Sequence, residues 1–251
     1  MTAMRLITLG TSHGSPTLTR FNSALVLEVG DALYLFEAGA PVNALMLRKG
    51  LDLDKLEAVF VSHAHEDHIG GLPGLIKSLN KRPETAPRTA IFLPEKQTCD
   101  AVTAFVAATH RMWTENVLTM SVIRPGEIYR DERLTVTAYL TDHFRNEGKD
   151  FPSYAFAADA EGKRVVFTGD VSRDLAGFPR AAFDRPAVCV MECQHYRPEL
   201  AGPIFREFPV SRFIGVHISD KWDADPAGFV AALGEVPCPV ELARDGMEFV
   251  L

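Results

Sequence analysis

"VSHAHEDHIGGLPG", residues 61–74, places three histidines and two acids within six positions, directly after an apolar run and directly before a glycine pair. Imidazoles and carboxylates crowded this closely compete for solvent and for charge, and a bound cation relieves both conflicts. In an extended loop, residues two apart project to the same side, so His63 and His65 can clamp one ion with only Ala64 between them. Asp67 and His68 fall where the chain turns toward "IGGLPGLIKSL", the start of a helix, and can face a neighbouring ion. Glu66, between these donors, reads as solvent-facing.

Outward from this cluster, short apolar runs alternate with turn signals. "RLITLG", "SALVLEV" and "ALYLFEAG" read as strands, the last two joined at Gly30-Asp31. "PVNALMLRKG" switches to helical spacing with Gly50 as its stop, and "LEAVFVSH" is a buried strand that delivers the cluster. "TAIFLPE" and the amphipathic "KQTCDAVTAFVAATHRMW" continue as strand and helix, with His110 near the helix end as a surface or dipole partner. "MSVIRPGEIYRDERLTVTAYLTDH" and "SYAFAADAEGKRVVFTGD" read as meanders or hairpins turning at Pro125-Gly126 and Glu161-Gly162. "AAFDR" (helical), "AVCVMEC" and "FIGVHIS" (strands), "PAGFVAALGEV" (helix) and "VELARDGMEFVL" (one closing strand) complete the chain. Strands and helices mixed without strict alternation predict an α/β architecture of two sheets covered by helices, in a single domain over residues 1–251.

Composition narrows the function. A formal net charge of -7 lacks the basic footprint of a protein that grips nucleic acid by its phosphates. Cys99, Cys189, Cys193 and Cys238 form no C-x-x-C pair, which argues against a disulfide framework or a thiolate zinc site. Neither a secretory leader nor an apolar run long enough for a membrane helix is visible, so the expectation is a cytoplasmic protein without a membrane partner.

The spacing H-x-H-x-D-H resembles the zinc-binding motif of the metallo-β-lactamase superfamily at every ligand position. The resemblance implies a four-layer αβ/βα sandwich of two mixed β-sheets flanked by helices. It also implies a further His, a bridging Asp and a final His, each at a strand end, and "VTAYLTDHF", "RVVFTGD" and "RFIGVHIS" provide His143, Asp170 and His217. Carried over, one metal takes His63, His65, His143 and Asp170, and the other takes Asp67, His68, Asp170 and His217. Imidazole and carboxylate donors suit Zn²⁺ first, with Mn²⁺ or Fe²⁺ less easily excluded. Two such ions can hold a bridging hydroxide and stabilise charge on a carbonyl or phosphoryl oxygen, with Asp67 and Asp170 positioning that hydroxide.

The opening "LGTSHGSPT" followed by "NS" is similar to the ribonuclease Z and cyclic-phosphate phosphodiesterase branches. It places Gly10, Thr11, Ser12 and Gly14 where a phosphate could approach, and His13 where it could touch substrate. Glu37, in "LFEAGA", stands where the superfamily usually carries an aspartate that supports a metal-binding histidine. Two departures separate the chain from the transfer-RNA enzymes. Only 26 residues separate His143 from Asp170, too few for a long RNA-gripping arm, and Met191-Glu192-Cys193-Gln194 replaces the "HEAT" form, leaving Glu192 or His195 as proton handlers. Asp142 reads as a loop or cap acid. Loops 80–89 and 144–153 are expected to shape the pocket.

These readings converge on a dinuclear hydrolase of a small or cyclic phosphodiester, or of a nucleic-acid end, with a homodimer left open. An esterase, lactonase or thioesterase with the same metals is the alternative, since the same nucleophile attacks carbonyls. A non-catalytic protein whose metals only stabilise the fold is the second.

Overall fold

Short buried apolar runs rich in β-branched and aromatic residues become strands throughout the chain. The computed structural model describes residues 4–251, apart from the side chains of residues 146 and 147. The strands are β1 (Met4–Gly10), β2 (Ala24–Val29), β3 (Ala32–Phe36), β4 (Leu56–Phe60), β5 (Thr89–Leu93), β6 (Leu118–Val122), β7 (Gly126–Arg130), β8 (Thr135–Thr141), β9 (Ser153–Ala160), β10 (Lys163–Phe167), β11 (Ala187–Cys193), β12 (Val210–Ile218), β13 (Val240–Leu242) and β14 (Glu248–Val250). The helices are α1 (Val42–Arg48), α2 (Glu66–Ile69), α3 (Leu72–Leu79), α4 (Lys96–Ala108), α5 (Pro198–Glu207), α6 (Asp220–Ala224) and α7 (Pro226–Leu233).

The chain divides into two compact units. One comprises the residues up to Ile123 together with Arg244–Leu251, the other Arg124–Ala243. Each holds a seven-stranded mixed sheet, in the order β14-β1-β2-β3-β4-β5-β6 in the first unit and β13-β12-β11-β10-β9-β8-β7 in the second. In the first, β14 through β3 pair antiparallel and β3 through β6 pair parallel. The second repeats the scheme, antiparallel from β7 to β10 and parallel from β10 to β13. Parallel strands are reached by helical crossovers that cover a face, and this is why β3 and β4 are buried at nearly every position.

In the first unit α1 and α3 bury Val42, Leu45, Met46, Leu72, Leu75, Ile76 and Leu79 in the core of that sheet. Each such aliphatic side chain contributes about 1.5–3 kcal/mol on burial. Phe36, Phe60 and Phe92 stack across β3, β4 and β5 at centroid separations of 5.0 and 5.2 Å. The second unit has its own core, in which Phe205, Phe213 and Phe229 join α5, β12 and α7.

Three expectations need correction. Pro125-Gly126 does not turn a meander, because β6 and β7 belong to different sheets. "VELARDGMEFVL" is two strands, since Gly246 at φ 84 interrupts it and β13 and β14 join different sheets. The helix expected through Trp113 stops at Ala108, where His110 takes φ 58 and its N–H bonds the Ala107 carbonyl, a left-handed helix end. Helix α5 has no clear helical signature in the sequence because Pro198, Gly202 and Pro203 punctuate its apolar spacing.

Candidate functional site

In the first unit the donors lie just beyond β4, at the C-terminal end of a parallel strand, the position from which open α/β sheets present their sites. His63 is fully buried, Asp67 and His68 are nearly so, and Glu66 is exposed as expected. His65 caps α2, which turns Asp67 and His68 inward. His63 Nε2 lies 3.0 Å from His65 Nδ1, and His68 Nε2 lies 3.3 Å from Asp67 Oδ2.

The far nitrogens of two of these rings face polar groups. The Ser62 hydroxyl lies 2.9 Å from His63 Nδ1, and Glu37 Oε2 lies 3.3 Å from His68 Nδ1. Glu37 also accepts the Ser62 N–H at 3.2 Å, and its own N–H bonds the Phe60 carbonyl at 2.9 Å. Glu37 thus faces His68 from a left-handed backbone at φ 65. Close approach of the two loops requires glycine. A Cβ on Gly39 would lie 2.2 Å from the Asp67 carbonyl oxygen, and one on Gly71 would lie 2.7 Å from the Gly39 oxygen.

The second unit supplies His143 after β8, Asp170 after β10 and His217 near the end of β12, all buried. His217 occupies a bulge. Glu192 pairs with Val216 and Cys193 with Ile218, so His217 is the unpaired residue between them, at φ 50. A bulge of this kind re-aims one side chain out of the strand's alternation. Asp170 Oδ2 lies 3.9 Å from His143 Nε2, 3.7 Å from His217 Nε2 and 3.7 Å from His195 Nδ1.

These separations test whether a metal fits. They exceed hydrogen-bond length. Two ligands held about 2.1 Å from one ion sit roughly 3.4 Å apart at tetrahedral angles, close to what Asp170 and its imidazoles show. A buried carboxylate ringed by imidazole nitrogens beyond bonding distance is the donor set a divalent cation completes, and the residues fit one. Among the described residues, every group of three or more metal-capable donors draws on His63, His65, Asp67, His68, His143, Asp170, His195 and His217. All seven expected ligands are in that set.

His195 joins it from outside the expected ligands. Its ligand atom lies within 4.8 Å of those of Asp170 and His217, and its ring packs 4.9 Å from His143 and 5.5 Å from His217. Glu192 explains its placement. That carboxylate, 1% exposed, accepts the Val171 N–H at 3.2 Å, the Gln194 N–H at 2.6 Å, the His195 N–H at 2.9 Å and a contact from His195 Nδ1 at 2.9 Å. Glu192 therefore positions His195 and the Asp170 loop rather than presenting an idle acid. The signal was a Glu and a His three apart at a strand end; the role of Ser62 had none beyond its place before His63.

Around His13, which is half-buried, the loop hydroxyls are engaged within the first unit. Thr11 Oγ1 donates to Asp245 at 2.6 Å, and Ser12 Oγ donates to the Ser15 carbonyl at 2.6 Å. Burial pushes the Asp245 carboxyl up, although hydrogen bonds from Thr11 and Phe21 oppose this. These bonds tie the loop to Asp245 and to its own Ser15. Asp142 contacts Arg145 at 3.1 Å, in keeping with a loop acid.

Curated relatives named ribonuclease BN match this chain. The Cronobacter sakazakii protein is 36% identical over 175 residues, covering 65% of this chain and 56% of its own length. The Escherichia coli O6:K15:H31 protein is 36% identical over 185 residues, covering 68% of this chain and 58% of its own. The chain thus spans somewhat more than half the length of these relatives. Among solved structures, the short form of human tRNase Z superposes with a TM-score of 0.76 at 19% identity, covering 98% of both chains. The metallo-beta-lactamase fold protein YhfI from Bacillus subtilis gives 0.74 at 19%, covering 98% and 99%. Unliganded yeast PDE1 gives 0.73 at 15%, covering 100% of both. Two mixed sheets of seven strands with flanking helices, superposing this widely, are the metallo-β-lactamase fold. Within that fold a family model described as "Anti-Pycsar protein Apyc1" matches residues 4–200, and the chain belongs to that family.

Proposed function

We propose that the two units act as one catalytic domain, residues 1–251, which hydrolyses a small or cyclic phosphodiester with two divalent ions, zinc first. The observation that carries the reading is the donor set itself: H-x-H-x-D-H in one unit and His143, Asp170 and His217 in the other, all buried except the half-buried His65, with separations beyond hydrogen-bond length around Asp170. His63, His65, His143 and Asp170 would hold one ion and Asp67, His68, Asp170 and His217 the other. Such ions, when bound, supply a water-derived nucleophile near neutral pH and neutralise charge growing on phosphoryl oxygens.

The chain's own residues do the rest. Ser62 and Glu37 fix the ring orientations of His63 and His68, which keeps the coordinating nitrogens inward. Glu192 holds His195 by its Nδ1, which leaves Nε2 to deliver a proton to the departing oxygen. A small substrate is favoured over a long RNA by the net charge of -7 and by the 26 residues between His143 and Asp170, which form a short turn and the β9–β10 hairpin. The names ribonuclease BN and tRNase Z point the same chemistry at RNA.

The deciding experiment reconstitutes the protein with Zn²⁺, Mn²⁺ or Fe²⁺ and compares bis(p-nitrophenyl) phosphate, small cyclic phosphodiesters and a transfer-RNA precursor with simple esters, lactones and thioesters. Turnover of the small diesters well above the others is expected. Dominant ester or lactone turnover would assign the chain to carbonyl chemistry, dominant RNA cleavage would overturn the small-substrate reading, and no turnover with any metal would leave a binding role.

A further inference from the structure

Arg145 and Asp174 tie together the two loops of the second unit that carry His143 and Asp170. Arg145 Nη2 donates to both oxygens of Asp174, at 2.6 Å to Oδ1 and 2.5 Å to Oδ2, while its Nε lies 3.1 Å from Asp142 Oδ2. Asp174 is fixed from its own side by the Ala176 N–H at 3.2 Å and the Ser172 hydroxyl at 3.0 Å. Those bonds, with the Arg145 contact added, hold its carboxyl below the usual carboxylate range. A second point of contact lies beside the first, since a Cβ on Gly177 would lie only 1.9 Å from Asp142 Oδ1. His143 thus leaves β8 on a turn strapped at Asp142 and Arg145 to the loop that begins at Asp170.

The strap is a poor candidate for a folding device. Its side chains are 51% and 60% exposed, and exposed ion pairs contribute little to stability. Its place is informative instead: it lies two residues beyond His143 and four beyond Asp170, whose ligand atoms are 3.9 Å apart. We infer that Arg145 is a positioning residue, clamping Asp174 to set the spacing of His143 and Asp170 and with it the affinity for metal. The inference rests on the metal reading proposed above.

Zinc affinity, measured by titration against a competing chelator, tests it in wild type, Arg145→Ala, Asp174→Ala, the double variant and Arg145→Lys. Arg130→Ala serves as control, since it removes a comparably exposed pair with Glu127 in the same unit. Arg145→Ala and Asp174→Ala are each expected to bind zinc about 10-fold more weakly. The double variant should lose less than the sum of the singles because the Arg145–Asp174 contact is lost in all three, Arg145→Lys should fall between, and melting temperatures should not move. Equal zinc affinity in wild type and Arg145→Ala would overturn the clamp and leave the metal reading standing. An additive double variant, or an equal loss in Arg130→Ala, would overturn it as well, and a wild type that binds no zinc would remove both claims.

Discussion

At Glu192 one buried carboxylate accepts three backbone N–H groups and faces the His195 imidazole, so a single side chain sets both a ring and the loop that starts at Asp170. Glu192→Gln keeps the shape but puts an amide donor against N–H groups that need an acceptor. Its kcat/KM for a diester should fall about 10- to 100-fold with zinc content retained, read by steady-state kinetics beside metal analysis. Unchanged kinetics would mean that His195 needs no such support. Glu37 acts in the same manner on His68, and Glu37→Ala should weaken zinc binding about 10-fold in a chelator competition. Both Glu37 and His217 sit at positive φ, strain tolerated where the surrounding structure over-determines a functional side chain. The contiguous donors 63–68 were legible because their conflict is local. Ser62, Glu192 and His195 take their roles from partners the fold brings up, which spacing alone does not reveal.

Among elements, β4 and β10, which lead to donors, are stapled away from their donor-bearing ends. Arg82 donates to the carbonyls of Leu53, Leu56, Leu79 and Val117, joining α3 to the edges of β4 and β6, and burial lowers its pKa although Asp54 and Glu57 oppose this. Arg82→Ala should cost about 1–3 kcal/mol of unfolding free energy in a denaturant titration, with zinc affinity unchanged. In the β9–β10 hairpin, burial would raise the Asp159 carboxyl, but hydrogen bonds from Arg164 and Arg185 overcome it and hold the group below its usual range. A depressed carboxylate stabilises the fold above its unfolded pKa, near 3.9, and that contribution is lost as pH falls through the lower folded value. Wild type should therefore exceed Asp159→Asn in stability at pH 7, and the gap should close below about pH 4 in urea unfolding. A gap that persisted at low pH would place the effect in packing. Most strands were legible from apolar runs, whereas the split of β13 from β14 was not. A single run of alternating residues holds no sign that its halves pair with different sheets, beyond the glycine at 246.

Across the whole molecule, each unit builds the same arrangement, an antiparallel ladder that becomes parallel, and each carries donors beyond its strand ends. The sequence motif named the superfamily because metal ligands need particular residue types at particular spacings. It could not name the substrate, which depends on loops shared less widely than the metal residues. The dinuclear proposal has seven side chains holding two ions with Asp170 common to both. Anomalous diffraction at the zinc edge from crystals of the zinc-loaded protein tests it most directly. Two peaks about 3.5–4 Å apart are expected, both touching Asp170, one beside His63, His65 and His143 and the other beside Asp67, His68 and His217. A single peak, or peaks that leave His143, Asp170 or His217 without metal, would contradict it.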